Sequence, residues 1–370
     1  MRERMRESRA LAAIAVMLVA LLLTLAAGCG TAKETAPSPT SDGPTVTVTD
    51  SIGREVEVPA KVNRIACLYA FSGHVVAMLG RGDNIVAVVQ GLKRDILFNQ
   101  IVPAIQKAAV PSASDTINIE ELAKSRPDLI FIQPTAYQDE KERQKLDELK
   151  VPYFVVDFNS IASQVNTIEM MGKAIGREEE AQKYVAFYQS SLARVANVVQ
   201  KIPPEQRVKV FHSIMEATRT DAPNTLSADW TKVAGLIDVS VGQQLRFADD
   251  KYFASLEQVY VWDPDAVIVN EDAAYDYITT NANWASLRAV KNHKVYKLPN
   301  GISRWGHEGS LETPLAVLWA AKTFYPDYFT DLDMKQVTRD FYQTFFNYPL
   351  DDAGVARVLA GKGMREPKGN

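Results

Sequence analysis

From Ser163 to Lys201 the chain runs without a proline, and its apolar residues recur at helical intervals: Ile168, Met171 and Ile175, then Tyr184, Phe187, Leu192, Val195 and Val199. Ile175-Gly176-Arg177 breaks the run once, and Pro203-Pro204 ends it, because proline lacks the N–H that the next turn needs. The spacing predicts two helices over 163–202, the second long and continuous to Ile202. A helical block of this length between two other stretches reads as the linker that joins two lobes.

Both flanking stretches alternate short β-branched runs with helical ones. On the N-terminal side, Val46–Thr49 and Val56–Val58 flank a Gly turn at Asp50-Ser51-Ile52-Gly53-Arg54 and read as a hairpin. Strand-like runs follow at 64–69, 85–90, 128–133 and 153–157, with helical spacing over 72–79, 119–124 and 140–149. On the C-terminal side, strands are expected at 208–212, 266–269 and 294–298. Helices are expected at 230–236, 255–259, 284–290, 311–324 and 334–346. Alternation of this kind implies mostly parallel sheets covered by helices. The expected fold is therefore α/β: two Rossmann-like lobes, 45–162 and 203–370, joined by the linker helices of 163–202.

The N-terminus sets the compartment. Arg2, Arg4, Arg6 and Arg9 precede an uncharged run from Ala10 to Ala27, the layout of a secretory leader. Leu25-Ala26-Ala27-Gly28-Cys29 resembles the lipobox of bacterial lipoproteins, in which the cysteine is lipidated. Residues 1–28 then read as a signal peptide and 29–44, rich in Ser, Thr, Pro and Ala, as a flexible tether. Loss of the leader takes four Arg and two Glu and moves the net charge from −4 to about −6. An acidic chain excludes a broad nucleic-acid surface, which needs clustered Lys and Arg. With Cys29 lipidated, Cys67 stands alone in an apolar run, so it reads as a buried small hydrophobe and the fold must stand on its core.

Ligands of open α/β sheets sit beyond the carboxyl ends of the strands. The residues there are Tyr69, Phe71, Gln90, Gln133 and Tyr137 in the first lobe. In the second they are Arg219, Tyr275, Arg304, Trp305 and His307. Aromatic rings give rigid contact area, and arginine grips carboxylates through paired hydrogen bonds. Strand ends facing each other across two lobes form a cleft. The four histidines, His74, His212, His293 and His307, lack local metal-site spacing, so no preformed metal site is expected. His307 and His212 are the candidates to touch a metal that a ligand brings.

The residues Thr49-Asp50-Ser51-Ile52-Gly53-Arg54-Glu55-Val56-Glu57-Val58-Pro59 resemble the opening of the periplasmic-type binding proteins for iron-chelate and cobalamin ABC importers. Asn118-Ile119-Glu120-Glu121-Leu122 with Arg126-Pro127-Asp128-Leu129-Ile130 is similar to a second phrase of that family, and Asp263-Pro264-Asp265-Ala266-Val267-Ile268 repeats it. The end, from Leu318-Trp319-Ala320-Ala321-Lys322 to Phe345-Phe346-Asn347-Tyr348, resembles an iron- or nickel-chelate subgroup. The resemblance implies a monomeric binding protein that alters no bond, needs no cofactor, captures a metal chelate outside the cell membrane and hands it to a permease with its ATPase. A ferric siderophore or ferric citrate comes first; nickel chelate, cobalamin, haem and molybdate follow. It also implies that Glu120 docks to the permease. The matching second-lobe position falls at Lys232, with Asp229 beside it as a substitute. A surface sensor module and an extracytoplasmic α/β enzyme are the competing classes; the chain lacks G-x-S-x-G, P-loop, dinucleotide and H-E-x-x-H motifs.

Overall fold

A computed structural model describes residues 43–113 and 116–362. The expected leader, Cys29 and all but the last two residues of the tether lie outside the described residues. Two parallel-based sheets carry the fold. The first has six strands in the order Thr116–Ile117, Ala109–Ala113, Ile85–Val89, Ile65–Cys67, Leu129–Ile132, Tyr153–Val155, all parallel except the first. The second has four parallel strands in the order Ile237–Asp238, Lys209–Ser213, Ala266–Val269, Val295–Lys297. Leu129–Ile132 and Ala266–Val269 are buried at every residue, as strands covered on both faces must be.

Two helices, Ile161–Ala174 and Glu178–Val199, link the sheets in sequence. Ser160 and Ser163 form a reciprocal cap at the start of the first. The second has three glutamates in its first turn, where the helix dipole favours negative charge. Its buried stripe, Tyr184, Tyr188, Ser191, Val195 and Val199, packs against Thr313–Phe324, and Tyr184 also meets the helix Met334–Phe346. Tyr184 donates to the carbonyl of Leu311. Tyr188 donates to Gln164 (2.8 Å), whose amide donates to the carbonyl of Ser310 (3.0 Å). The linker helices therefore grip the loop that precedes Thr313–Phe324. That loop lines the site described below.

Strand Thr45–Thr49 pairs antiparallel with Glu55–Pro59 around Gly53, whose φ of +88° suits only glycine without strain. Its turn is locked from inside. Asp50 accepts from the backbone N–H of Ile52 (3.2 Å), Arg54 (2.9 Å) and Val155 (3.2 Å), and from the Arg54 guanidinium at 2.9 Å. Asp50 and Arg54 are both buried. The Arg54 guanidinium carbon sits 4.5 Å from the ring centroids of both Tyr137 and Tyr153. Cys67 is fully buried, and burial pushes its thiol up to about 12, an inert state. Among the described residues no helix is long and apolar enough to cross a membrane.

Candidate functional site

The first lobe offers the ends of Ile65–Cys67 and Leu129–Ile132. Tyr69 immediately precedes the helix Ala70–Met78, and Gln133 immediately precedes the helix Pro134–Gln138. The second lobe offers the loop 301–310. In that loop Gly306 takes φ +69°, and a side-chain carbon there would lie 2.5 Å from Trp230 Nε1. Only glycine fits. Its carbonyl accepts from Trp230 Nε1 at 2.8 Å and Ser227 Oγ at 3.1 Å. The tight turn sends Trp305 into the core and leaves Arg304 and His307 on the cavity wall.

A cavity of about 300 Å³ results, lined by Tyr69, Phe71, His74 and Gln133 from one lobe and Arg304, His307 and Glu308 from the other. A second cavity of about 300 Å³ shares Tyr69, Ala70 and Gln133 and extends along the first-lobe strand ends past Val89 and Ser112. The lobes nearly touch at the first cavity, where a carbon added at Gly309 would be 3.3 Å from the Tyr69 hydroxyl. Burial raises the Tyr69 phenol well above its ordinary value, with Glu308 and Asp157 adding to the rise, so Tyr69 stays a neutral hydrogen-bonding group. Glu308 is solvent-exposed over much of its surface. Its carboxyl is still raised, by desolvation first, with Arg219 opposing and Asp221 reinforcing.

The charges are internally matched. Arg304 is paired with Glu271, and Arg219 faces the field of Glu308. His74 is buried against Asp95 (3.7 Å) and the edge of Phe98 (4.9 Å between centroids). Beneath the loop, Glu312 is fully buried. It accepts from Ser303 N–H (2.7 Å), Ser303 Oγ (2.8 Å) and the Tyr342 hydroxyl. Desolvation raises its carboxyl, against these hydrogen bonds.

Of the residues expected from sequence, Tyr69, Phe71, Gln133, Arg304 and His307 come together here. Gln90 is exposed at the start of Gln90–Lys93, beside Val89. Arg219 is half-buried at the start of the strand Arg219–Thr220, outside the lining. Tyr137 spends its ring on Arg54 and Arg143, and Tyr275 faces the Lys297 ammonium at 5.8 Å; neither lines the cavity. Two expectations are corrected. Trp305 and His212 have no exposed surface, so neither reaches a solute in the cleft. A tight Gly turn buries the first, and a strand covered on both faces buries the second. Asp229 is half-buried and accepts from the N–H of Ile161 at 2.9 Å at the start of a linker helix. Sequence reading passed over Glu308, although a charge between Gly306 and Gly309 was a visible signal. Glu120 is exposed on the first turn of Ile119–Lys124, where Asn118 provides the cap.

A cavity between the carboxyl ends of two parallel sheets, walled by rings, imidazoles and matched charges, defines a two-lobed solute-binding protein. Residues 65–301 match the family model described as periplasmic binding protein, and the chain belongs to that family. This is a family of binding proteins, not of enzymes. The chain is 23% identical to the molybdate-binding protein MolA of Haemophilus influenzae, over 83% of this chain and 93% of that one. It is 22% identical to the Fe(3+)-citrate-binding protein YfmC of Bacillus subtilis, over 76% and 88%. A periplasmic solute binding protein from Veillonella parvula superposes with a TM-score of 0.73 at 25% identity, covering 86% of this chain and 97% of that one.

Proposed function

We propose that this protein is the lipid-anchored capture component of an ABC importer, held outside the cell membrane through Cys29, and that its cargo is a small metal chelate of low net charge. The observation that carries this reading is the cavity of about 300 Å³ walled by Tyr69, His74, Gln133, Arg304, His307 and Glu308. Its volume is at the low end for ligand sites. That favours ferric citrate or a compact ferric chelate over cobalamin or haem. Pairing of Arg304 with Glu271 leaves little unbalanced positive charge for a highly anionic siderophore. His307 supplies a nitrogen for an open coordination position on the metal. A nickel chelate is the second reading, because two imidazoles, His74 and His307, share the cavity wall and imidazole suits nickel.

Calorimetry of the full chain against ferric citrate, a nickel–histidine complex, molybdate and cobalamin tests this. The small metal chelates are expected to bind and cobalamin to give no heat. No binding by any of the metal chelates ends the proposal. His307→Ala is expected to weaken the bound chelate by about tenfold or more, roughly 1.4 kcal/mol; unchanged affinity removes His307 from the site. Glu120 is assigned to permease docking. Glu120→Ala should leave binding unaltered and reduce cellular uptake of labelled chelate, and normal uptake would end that assignment.

A further inference from the structure

Behind the cleft loop lies a second group of chemistry-bearing residues that solute binding leaves unused. His212 belongs to the strand Lys209–Ser213, Asp221 follows the strand Arg219–Thr220, and Asp238 closes the strand Ile237–Asp238. Spacings of nine and seventeen residues carry no local signature, which is why the sequence suggested no preformed metal site. Three strands bring the residues together, and one ligating atom from each lies within 4.8 Å of the other two. His212 Nδ1 is 2.8 Å from Asp221 Oδ2. Asp238 Oδ1 is held by Ser240 Oγ at 2.8 Å and Ser240 N at 3.0 Å. Two atoms remain: His212 Nε2 and Asp238 Oδ2 are buried and meet no hydrogen-bond partner.

The charge is also unbalanced. Asp221 is 2% exposed and Asp238 9%, and among the described residues neither carboxylate is bridged by a lysine or arginine. Two buried carboxylates sharing one imidazole cost several kcal/mol unless a cation or a proton joins them.

We infer that His212, Asp221 and Asp238 bind one divalent transition-metal ion of the zinc class. One imidazole nitrogen and two carboxylate oxygens are donors zinc accepts, and with the ion the group is neutral. The ion braces the cleft from behind. The ring of Trp230 packs edge-on to His212, with 5.6 Å between centroids, and the same indole donates to Gly306 in the loop that carries Arg304 and His307.

The test uses the full chain in detergent, stripped with chelator and reloaded with Zn²⁺ alone. One zinc per chain should survive gel filtration. X-ray absorption at the zinc edge should read one imidazole with oxygen ligands at about 2.0–2.2 Å. Asp238→Asn should weaken zinc binding by about 100-fold or more, beyond what outer partners of a metal ligand cost, while His307→Ala should leave it intact. If Asp238→Asn fails to fold by circular dichroism, the absorption spectrum of the unaltered chain decides. A chain that retains no zinc, a spectrum with two imidazoles, or zinc lost in His307→Ala and kept in Asp238→Asn overturns the inference. The first result would mean that protons alone balance the charge, and the other two that the metal sits in the cleft.

Discussion

Asp50→Ala is expected to destabilise the protein by about 3–5 kcal/mol, the range for stripping one partner from a buried ion pair. The loss has two sources. The Arg54 guanidinium, 5% exposed, would keep its charge without a counter-ion. The N–H groups of Ile52, Arg54 and Val155 would also lose their acceptor. Stacking of Arg54 between Tyr137 and Tyr153 cannot replace a carboxylate, since such contacts contribute about 0.5–2 kcal/mol. Asp50→Asn should fall between, because an amide oxygen still accepts but carries no charge. Urea unfolding of the three chains checks this. A loss below about 1 kcal/mol for Asp50→Ala would mean that water enters the turn and screens Arg54. The phrase Thr49-Asp50-Ser51-Ile52-Gly53-Arg54 thus has a physical reading: a glycine turn, a carboxylate that ties it, and an arginine that ties it to the strand Tyr153–Val155.

How far the sequence reached depended on burial. Strands such as Leu129–Ile132 and Ala266–Val269 are buried at every residue, so they are uninterrupted apolar runs and easy to see. The strand Ala109–Ala113, the edge strand Ile237–Asp238, and the hairpin of Arg246–Ala248 with Lys251–Phe253 lack that signal. They are short or polar, and that hairpin turns on Asp249 and Asp250 at positive φ rather than on glycine. Reading the residue after each strand located Tyr69 and Gln133, because the chain must leave a parallel sheet at its carboxyl end. The same rule could not reveal that Arg304 is already paired with Glu271, since the partners are 33 residues apart and meet only through the fold. Nor could it reveal that Tyr137 serves Arg54.

The sharpest divergence between sequence and fold is Trp305, and one substitution separates the two readings. A tryptophan beside arginine in a glycine-bearing loop looks like a ligand platform, whereas a side chain with no exposed surface in the main core is a packing element. Trp305→Ala is expected to cost about 3–5 kcal/mol of stability, the range for truncating a buried large aromatic. Trp305→Phe keeps much of the volume and should cost less. Affinity should fall as well, by a different route. Arg304 and His307 flank the Trp305-Gly306 turn, and their placement on the cavity wall depends on that turn staying seated against Trp230 and Glu312. Thermal and urea unfolding measured beside calorimetry separate the cases. Loss of stability with loss of affinity is the result a core anchor gives. A chain as stable as the original that no longer binds its chelate would return Trp305 to the cleft and require the loop to open on binding.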